Sequence, residues 1–189
     1  IEMYIAEEFV SAVALYEEVL ARFRKAHNPI GMVYAASNLG LAWHALGDTR
    51  QAASLYRESL LLHRVVADEW EAASLLMQIA HLAVEVGHVE QAACLLGAAE
   101  TLYHITGTLP QPYELELGDR TEGAIRAELG PERYVAASGV GRRLSFAQAL
   151  DEALTTVDLI ETGLSSDASS GEERCAAGQG LEYWDVPKF

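Results

Sequence analysis

The sequence predicts an all-α protein in which antiparallel helical hairpins stack side by side into a solenoid. The main observation is an internal repeat, because a set of apolar and small residues recurs 40 positions later. The matching positions are Leu39-Gly40 and Ile79-Ala80, Trp43 and Ala83, Leu46-Gly47 and Val86-Gly87, Ala52 and Ala92, Tyr56 and Leu96, and also Leu15-Tyr16 and Leu55-Tyr56. A fixed period of this length is typical of stacked hairpins. Half of the 189 residues are hydrophobic, which is enough to form a core without disulfides.

The first two helices are predicted on either side of Asn28-Pro29, which breaks the helical pattern. One helix is expected from about 6 to 26, since apolar side chains recur on one face at Phe9, Val13, Tyr16, Leu20 and Phe23. The second helix is expected from about 30 to 46.

Two similar turns follow at Gly47-Asp48 and Gly87-His88. Glycine ends a helix readily, and an aspartate caps the next one. Asp48 is therefore predicted to cap a third helix to about Val66, and Asp68 a fourth to about Val86. A fifth helix is expected to end near Ile105.

Beyond Thr106-Gly107 the helical pattern continues but the repeat does not. One helix is predicted over 113–129, and the next begins at Pro131, a residue suited to a first helical turn. Ser145 is predicted to cap a last helix that ends near Leu159.

These elements predict three parts of the chain. Residues 1–107 hold the repeats, of which the first is truncated. Residues 108–160 are C-terminal capping helices that close the open apolar face of the solenoid. Residues 161–189 form a Ser-rich linker and an aromatic tail. Because the first residue is Ile, we expect the chain to belong to a longer protein.

The charge of the chain limits its partners. The formal net charge is −15, and an acidic surface repels phosphate backbones, so we expect no nucleic acid to bind this segment. No apolar run is long enough to cross a bilayer, so no membrane is expected either. Two distant cysteines, Cys94 and Cys175, are consistent with a reducing cytoplasm. Cys94 is expected to be buried.

The repeats resemble tetratricopeptide repeats, whose signature is W-x2-L-G-x2-Y, then A-x3-F, then P. The chain has Ala36-x2-Leu39-Gly40-x2-Trp43 and then Ala52-x3-Tyr56. Small residues at Gly40 and Ala52 are expected to let helices approach, while Trp43 and Tyr56 fill the space between hairpins. The chain departs from the family pattern at Ala36, at Arg64 and in its longer period.

A longer stretch resembles the carboxy-terminal tetratricopeptide region of bacterial STAND-type ATPase regulators and LuxR-type transcription factors. The resemblance covers about residues 7–157 and rests on Ala92-Ala93-Cys94-Leu95-Leu96-Gly97-Ala98-Ala99-Glu100, Leu109-Pro110, Ala127-Glu128-Leu129-Gly130 and Leu144-Ser145-Phe146-Ala147-Gln148-Ala149-Leu150. It implies a sensor or docking arm in transcription regulation and signal transduction. The nucleotide site and the DNA-binding domain of such proteins lie elsewhere in the chain.

The sequence lacks the motifs of catalysis and of cofactor binding. Gly139-Val140-Gly141 is too short for a phosphate loop, and Arg142-Arg143 follows it where Lys-Ser or Lys-Thr is required. No HExxH or paired CxxC occurs. We therefore expect a protein-binding or sensor domain of a cytoplasmic bacterial regulator, with no enzyme activity and no cofactor.

The binding surface is predicted on the first helix of each hairpin. Alignment with the repeat pattern points to the groove positions Tyr34, Ser37, Asn38, Leu41, His44, Ser74, Met77, Gln78, His81 and Val84. The amides of Asn38 and Gln78 can bond both to N–H and to C=O of an extended peptide, or can lie in solvent or between helices. His44 and His81 are expected to line the groove or to be partly buried. A metal site is not predicted, since they lie in different repeats without close carboxylates.

Three alternatives for the partner stay open at this point. The domain binds a protein or peptide, senses a small-molecule effector, or makes a homodimer. The aromatic tail is itself a candidate ligand, in its own chain or in a neighbouring one, because Tyr183, Trp184 and Phe189 can bury a large apolar area. The alternative is a tail that derives from a tag or is ordered only by a crystal lattice.

Overall fold

The structure, a computed structural model, describes residues 2 to 170 and the side chains of residues 8 to 164. Every regular element in this part of the chain is an α-helix, which confirms the predicted all-α hairpin fold. The helices are α1 (Glu2–Lys25), α2 (Pro29–Ala45), α3 (Thr49–Val66), α4 (Glu69–Glu85), α5 (Val89–Thr106), α6 (Pro112–Leu129), α7 (Pro131–Gly141) and α8 (Phe146–Ser170).

Most helix ends lie close to the residues that the sequence indicates, although α1 begins at Glu2 rather than near residue 6. The side chains of Asp48 and Asp68 accept hydrogen bonds from the backbone N–H three residues later, at 2.9 and 3.2 Å. Ser145 does the same at 3.4 Å. Gly47 and Gly87 follow α2 and α4 with φ of 80° and 85°, a left-handed conformation that ends a helix and that other residues rarely adopt.

The hairpins form two layers. α2 packs against α3, α4 against α5, and α6 against α7, while α4 also contacts α2 on one side and α6 on the other. We call α2, α4 and α6 the inner layer, and α3, α5 and α7 the outer layer. α1 packs against α2 at the amino-terminal end. α8 returns along the array to contact α3, α4 and α5.

The core confirms the packing role of small and large residues at the repeat positions. Ala52 and Tyr56 of α3 are fully buried. Gly40 of α2 lies directly against the Tyr56 ring, since a Cβ added there would be 2.6 Å from its Cε1 atom. Trp43, which is partly buried, packs against both apolar clusters of the core.

The crossing of α5 and α7 is tighter, and two glycines form it. A Cβ added to Gly97 of α5 would lie 2.2 Å from the carbonyl oxygen of Ser138 in α7. A Cβ added to Gly141 of α7 would lie 1.8 Å from the carbonyl oxygen of Cys94 in α5. Each glycine thus meets backbone, which has no alternative rotamer. Cys94 is 8% exposed, so its predicted burial is confirmed.

The prediction that the last helix ends near Leu159 is wrong, because α8 continues to Ser170. Contacts with α3 hold the part of α8 between Leu159 and Leu164. Arg57 pairs with Glu161 at 2.6 Å, and an Arg50 guanidinium N–H donates to the carbonyl of Leu164 at 3.2 Å. Leu164 also packs against the main core. The Ser-rich composition resembles a linker, but tertiary contacts outweigh such small differences in helix propensity.

Residues 171–189 lie outside the described part of the chain. The prediction of a tail that binds through Tyr183, Trp184 and Phe189 falls on them, and so does Cys175.

Candidate functional site

The predicted groove residues differ in how far they reach the surface. Of the α2 set, Tyr34, Asn38 and Leu41 are half-buried, whereas Ser37 and His44 are buried. The α4 set is buried, and Val84 alone is half-buried: Ser74, Met77, Gln78 and His81 are each at most 7% exposed. Because α4 lies between α2 and α6, its neighbours cover these side chains. The two repeats are therefore not equivalent, and of these positions Tyr34, Asn38, Leu41 and Val84 contribute to an accessible surface.

The two amides predicted to bind a peptide already have partners. Gln78 is 2% exposed; its Oε1 accepts from Ser37 Oγ at 3.5 Å, and its Nε2 donates to Ser74 Oγ at 3.3 Å. Asn38 Nδ2 donates to the carbonyl of Tyr34 at 2.8 Å. Gln78 thus lies between helices, the alternative that the sequence left open. Asn38, on the half-buried set, is the amide nearer to solvent.

An acidic and aromatic cluster lies where α2 and α4 meet. Asp68, the cap of α4, accepts a 3.1 Å hydrogen bond from the Tyr34 hydroxyl, and burial together with this carboxylate raises the pKa of Tyr34 to about 12. The Tyr34 and Trp70 rings lie 6.4 Å apart, tilted by 45°. One carboxylate beside two aromatic rings is an arrangement that suits a cationic group.

Glu71 occupies the buried side of the same cluster. It is 6% exposed, and burial, with smaller effects of Asp68 and Glu114, raises its pKa to about 8. A carboxyl group kept largely protonated at neutral pH can donate a hydrogen bond. The sequence gives little signal for this residue, since it resembles any acidic residue in a first helical turn.

A second polar cluster lies further along the inner layer. His44 Nε2 is 2.6 Å from Glu85 Oε2, and His81 Nε2 is 3.4 Å from Glu85 Oε1. The two imidazole rings have centroids 5.4 Å apart. The expectation that these histidines lack close carboxylates is wrong. The i,i+4 spacing of His81 and Glu85 is the sequence signal that predicts their contact.

The charge of this cluster follows from its burial. Burial lowers the pKa of His81 to about 4, and the neighbouring His44 adds to the effect. Burial alone would raise the pKa of Glu85, but a hydrogen bond from His44 and the positive charge of nearby groups, including Arg120, hold it below its usual range. Near neutral pH the cluster therefore holds a neutral His81 beside an ionised carboxylate.

A threonine of the third inner helix orients His81. Thr121 Oγ1 lies 3.0 Å from His81 Nδ1 and donates to the carbonyl of Leu117 at 2.7 Å. The three inner helices α2, α4 and α6 therefore meet around one imidazole. Nothing in the sequence pattern identifies Thr121, since it lies beyond the repeats.

Among the helices between residues 2 and 170, none combines the length and the apolar character that crossing a bilayer requires. Comparison of the chain with protein-family models, with curated proteins and with solved structures finds no match. The resemblance to tetratricopeptide regions of bacterial regulators accordingly stays a prediction from the sequence.

Proposed function

We propose that this chain is a non-catalytic binding domain that holds a basic segment of a protein partner on its inner layer. The observation that carries the proposal is the arrangement of Asp68 beside the Tyr34 and Trp70 rings. Stacked hairpins offer extended surfaces of the kind that bind protein segments.

The surface consists of half-buried side chains on three helices. We call it the inner strip and define it by Tyr34, Asn38, Leu41, Trp70 and Tyr113. Aromatic residues with a polar end contribute strongly to protein interfaces, because they bury a large area and lose little side-chain entropy. The strip contains three such residues.

Charge favours a basic partner over an acidic or neutral one. The chain carries a net charge of −15, which attracts cationic segments at long range. At short range, an Arg or Lys side chain over the Tyr34 ring would reach the Asp68 carboxylate. Asp68 accepts from Tyr34 and from the Glu71 backbone, and a carboxylate has room for a further donor.

We place this domain in a larger cytoplasmic bacterial regulator. The resemblance of residues 7–157 to the carboxy-terminal arms of such regulators supports this part of the proposal. A binding arm of this kind would transmit the presence of its partner to catalytic or DNA-binding domains in the same protein.

The proposal is tested by selecting a random peptide library against the chain and measuring the enriched peptides by fluorescence anisotropy. We expect enrichment of Lys- and Arg-containing peptides and a loss of affinity of about 10-fold or more in Tyr34→Ala. The matched control is Val65→Ala on the outer layer, where Val65 is 77% exposed. Peptides that bind Tyr34→Ala as tightly as the unchanged chain, or the absence of any enrichment, would contradict the proposal.

A further inference from the structure

One cluster of side chains offers three possible metal ligands, one atom each from His44, His81 and Glu85, and these atoms lie within 4.8 Å of one another. Imidazole nitrogens and carboxylate oxygens are ligands that divalent metals accept. The three residues come from two hairpins, since His44 belongs to α2 and the other two to α4. A tetrahedral ion with bonds of about 2.0–2.1 Å needs its ligand atoms roughly 3.3 Å apart. The 2.6 Å between His44 Nε2 and Glu85 Oε2 would have to open by rotation of a side chain, and the proton held in this hydrogen bond would be released as the ion binds, whereas the 3.4 Å between His81 Nε2 and Glu85 Oε1 already fits.

The hydrogen bond to Thr121 determines the tautomer of His81. The nitrogen that faces the Glu85 carboxylate is therefore an acceptor. Thr121 has one hydroxyl proton, and it donates this proton to the Leu117 carbonyl. Thr121 Oγ1 must then accept from His81, so Nδ1 carries the ring proton. Nε2 then carries the lone pair and lies 3.4 Å from Glu85 Oε1, so the two atoms are placed to bind the same cation.

We propose that His44, His81 and Glu85 bind one divalent transition-metal ion, with Zn²⁺ as the ion that best fits two imidazoles and one carboxylate. This inference is independent of the peptide-binding proposal and goes beyond it. Three protein ligands leave a fourth position for water, as in open zinc sites. The side chain of Glu85 is 31% exposed, so solvent reaches the cluster from that side.

Thr121 acts as a positioning residue for this site. Histidine ligands of metals commonly donate their second ring N–H to an oxygen, which fixes the tautomer and the ring orientation. Thr121 supplies that oxygen from α6, so the bound ion would join α2 and α4 directly and α6 through one hydrogen bond. The ion would therefore connect all three hairpins of the inner layer.

Two further groups interact electrostatically with the cluster. The positive charge of Arg120 acts on both His81 and Glu85 and opposes a bound cation. Arg120 is exposed, so its side chain can move into solvent. Burial, and to a smaller extent the charge of Glu85, raises the pKa of the Tyr56 hydroxyl. A metal ion bound to Glu85 would offset the charge of its carboxylate and so lower the free-energy cost of holding that charge in a partly buried position.

The test is titration of the tag-free, chelator-treated full chain with Zn²⁺ by calorimetry and with Co²⁺ by visible absorption. We expect one ion per chain and the absorption bands of a four-coordinate Co²⁺ site. Glu85→Gln should weaken Zn²⁺ binding by at least about 10-fold, and Thr121→Val by about 10- to 100-fold. Thr121→Ser keeps the hydroxyl and should bind like the unchanged chain.

His104→Gln is the matched control, since His104 is an exposed histidine of α5 outside the cluster. It should leave the affinity unchanged. Glu85 is partly exposed, so Glu85→Gln remains informative even if loss of a buried histidine unfolds the chain; circular dichroism verifies the fold of each variant. Equal Zn²⁺ affinity in the unchanged chain and Glu85→Gln, or no binding at about 100 μM Zn²⁺, overturns the proposal without affecting the peptide experiment.

Discussion

Replacing Gly141 by alanine tests the α5–α7 crossing directly. The added Cβ would lie 1.8 Å from the Cys94 carbonyl oxygen and 3.0 Å from the Ala98 nitrogen. A carbon atom approaches a carbonyl oxygen to about 3.3 Å without repulsion, so the two helices would have to separate by roughly 1.5 Å. The obstacle is helix backbone, which cannot move away by a change of rotamer.

The cost exceeds that of ordinary overpacking, because a whole helix pair has to shift. Overpacking of a core costs about 1–3 kcal/mol and occasionally more, and we expect roughly 3 kcal/mol or more for Gly141→Ala. In a chain of 189 residues, this lowers the thermal midpoint by roughly 6–12 °C. Gly97→Ala, whose Cβ would lie 2.2 Å from the Ser138 oxygen, should behave alike.

Gly123→Ala in α6 is the control, since a Cβ there meets nothing within 4 Å. It should stabilise the chain by about 0.5–1 kcal/mol through helix propensity alone. The assay is thermal and urea unfolding followed by circular dichroism at 222 nm, a wavelength that reports helix content. If Gly141→Ala and Gly123→Ala shift the midpoint in the same direction, the packing described for α5 and α7 is incorrect.

Three further outcomes are expected. Ala52→Leu should lower the unfolding free energy by about 1–3 kcal/mol while Ser54→Leu, at an exposed position of the same helix, changes it little; equal effects would refute the register of α3. The pKa of Glu71 is raised from 4.5 to about 8, so its protonated form stabilises the fold below about pH 4.5, and this contribution is lost as the pH rises through 8. In urea unfolding, the unfolding free energy of Glu71→Gln relative to that of the unchanged chain should therefore rise by on the order of 3–5 kcal/mol between about pH 4.5 and pH 9. A difference that does not change with pH would contradict the assignment. Burial raises the pKa of the Cys94 thiol to about 11, so in a Cys175→Ser variant it should react with an aromatic disulfide at least ~100-fold more slowly than after denaturation, whereas equal rates would show an accessible thiol.

Most of the hairpins could be predicted from the sequence, because the signals that end and begin their helices are local and recur with the repeat. A glycine with left-handed φ and an aspartate cap act within one turn of helix, so Gly47, Asp48, Gly87 and Asp68 placed the helix ends correctly. The far end of α8 could not be predicted in this way. Glu161 and Leu164, which lie beyond the predicted end, contact Arg57 and Arg50 of α3, about a hundred positions away in sequence.

The site was harder to predict, because exposure depends on neighbours that a repeat alignment ignores. Asn38 and Gln78 occupy equivalent positions, yet Gln78 is covered because α4 has an inner-layer neighbour on both sides. The contact of His44 with Glu85 joins residues 41 positions apart, close to one repeat period. Thr121 lies in the part of the chain where the repeat has ended, so no alignment could assign it to His81.

The return of α8 changes how this chain folds and opens. In a simple array of repeats each hairpin contacts only its neighbours, so folding begins at any hairpin and the ends unravel first. Here Arg57 of α3 pairs with Asp158 and Glu161 of α8, 101 and 104 positions away. Closing so long a loop costs chain entropy before the contact forms, which slows folding relative to a nearest-neighbour array. Once formed, the pairing couples α3, α4 and α5, so their amide hydrogens should exchange together as one cooperative unit.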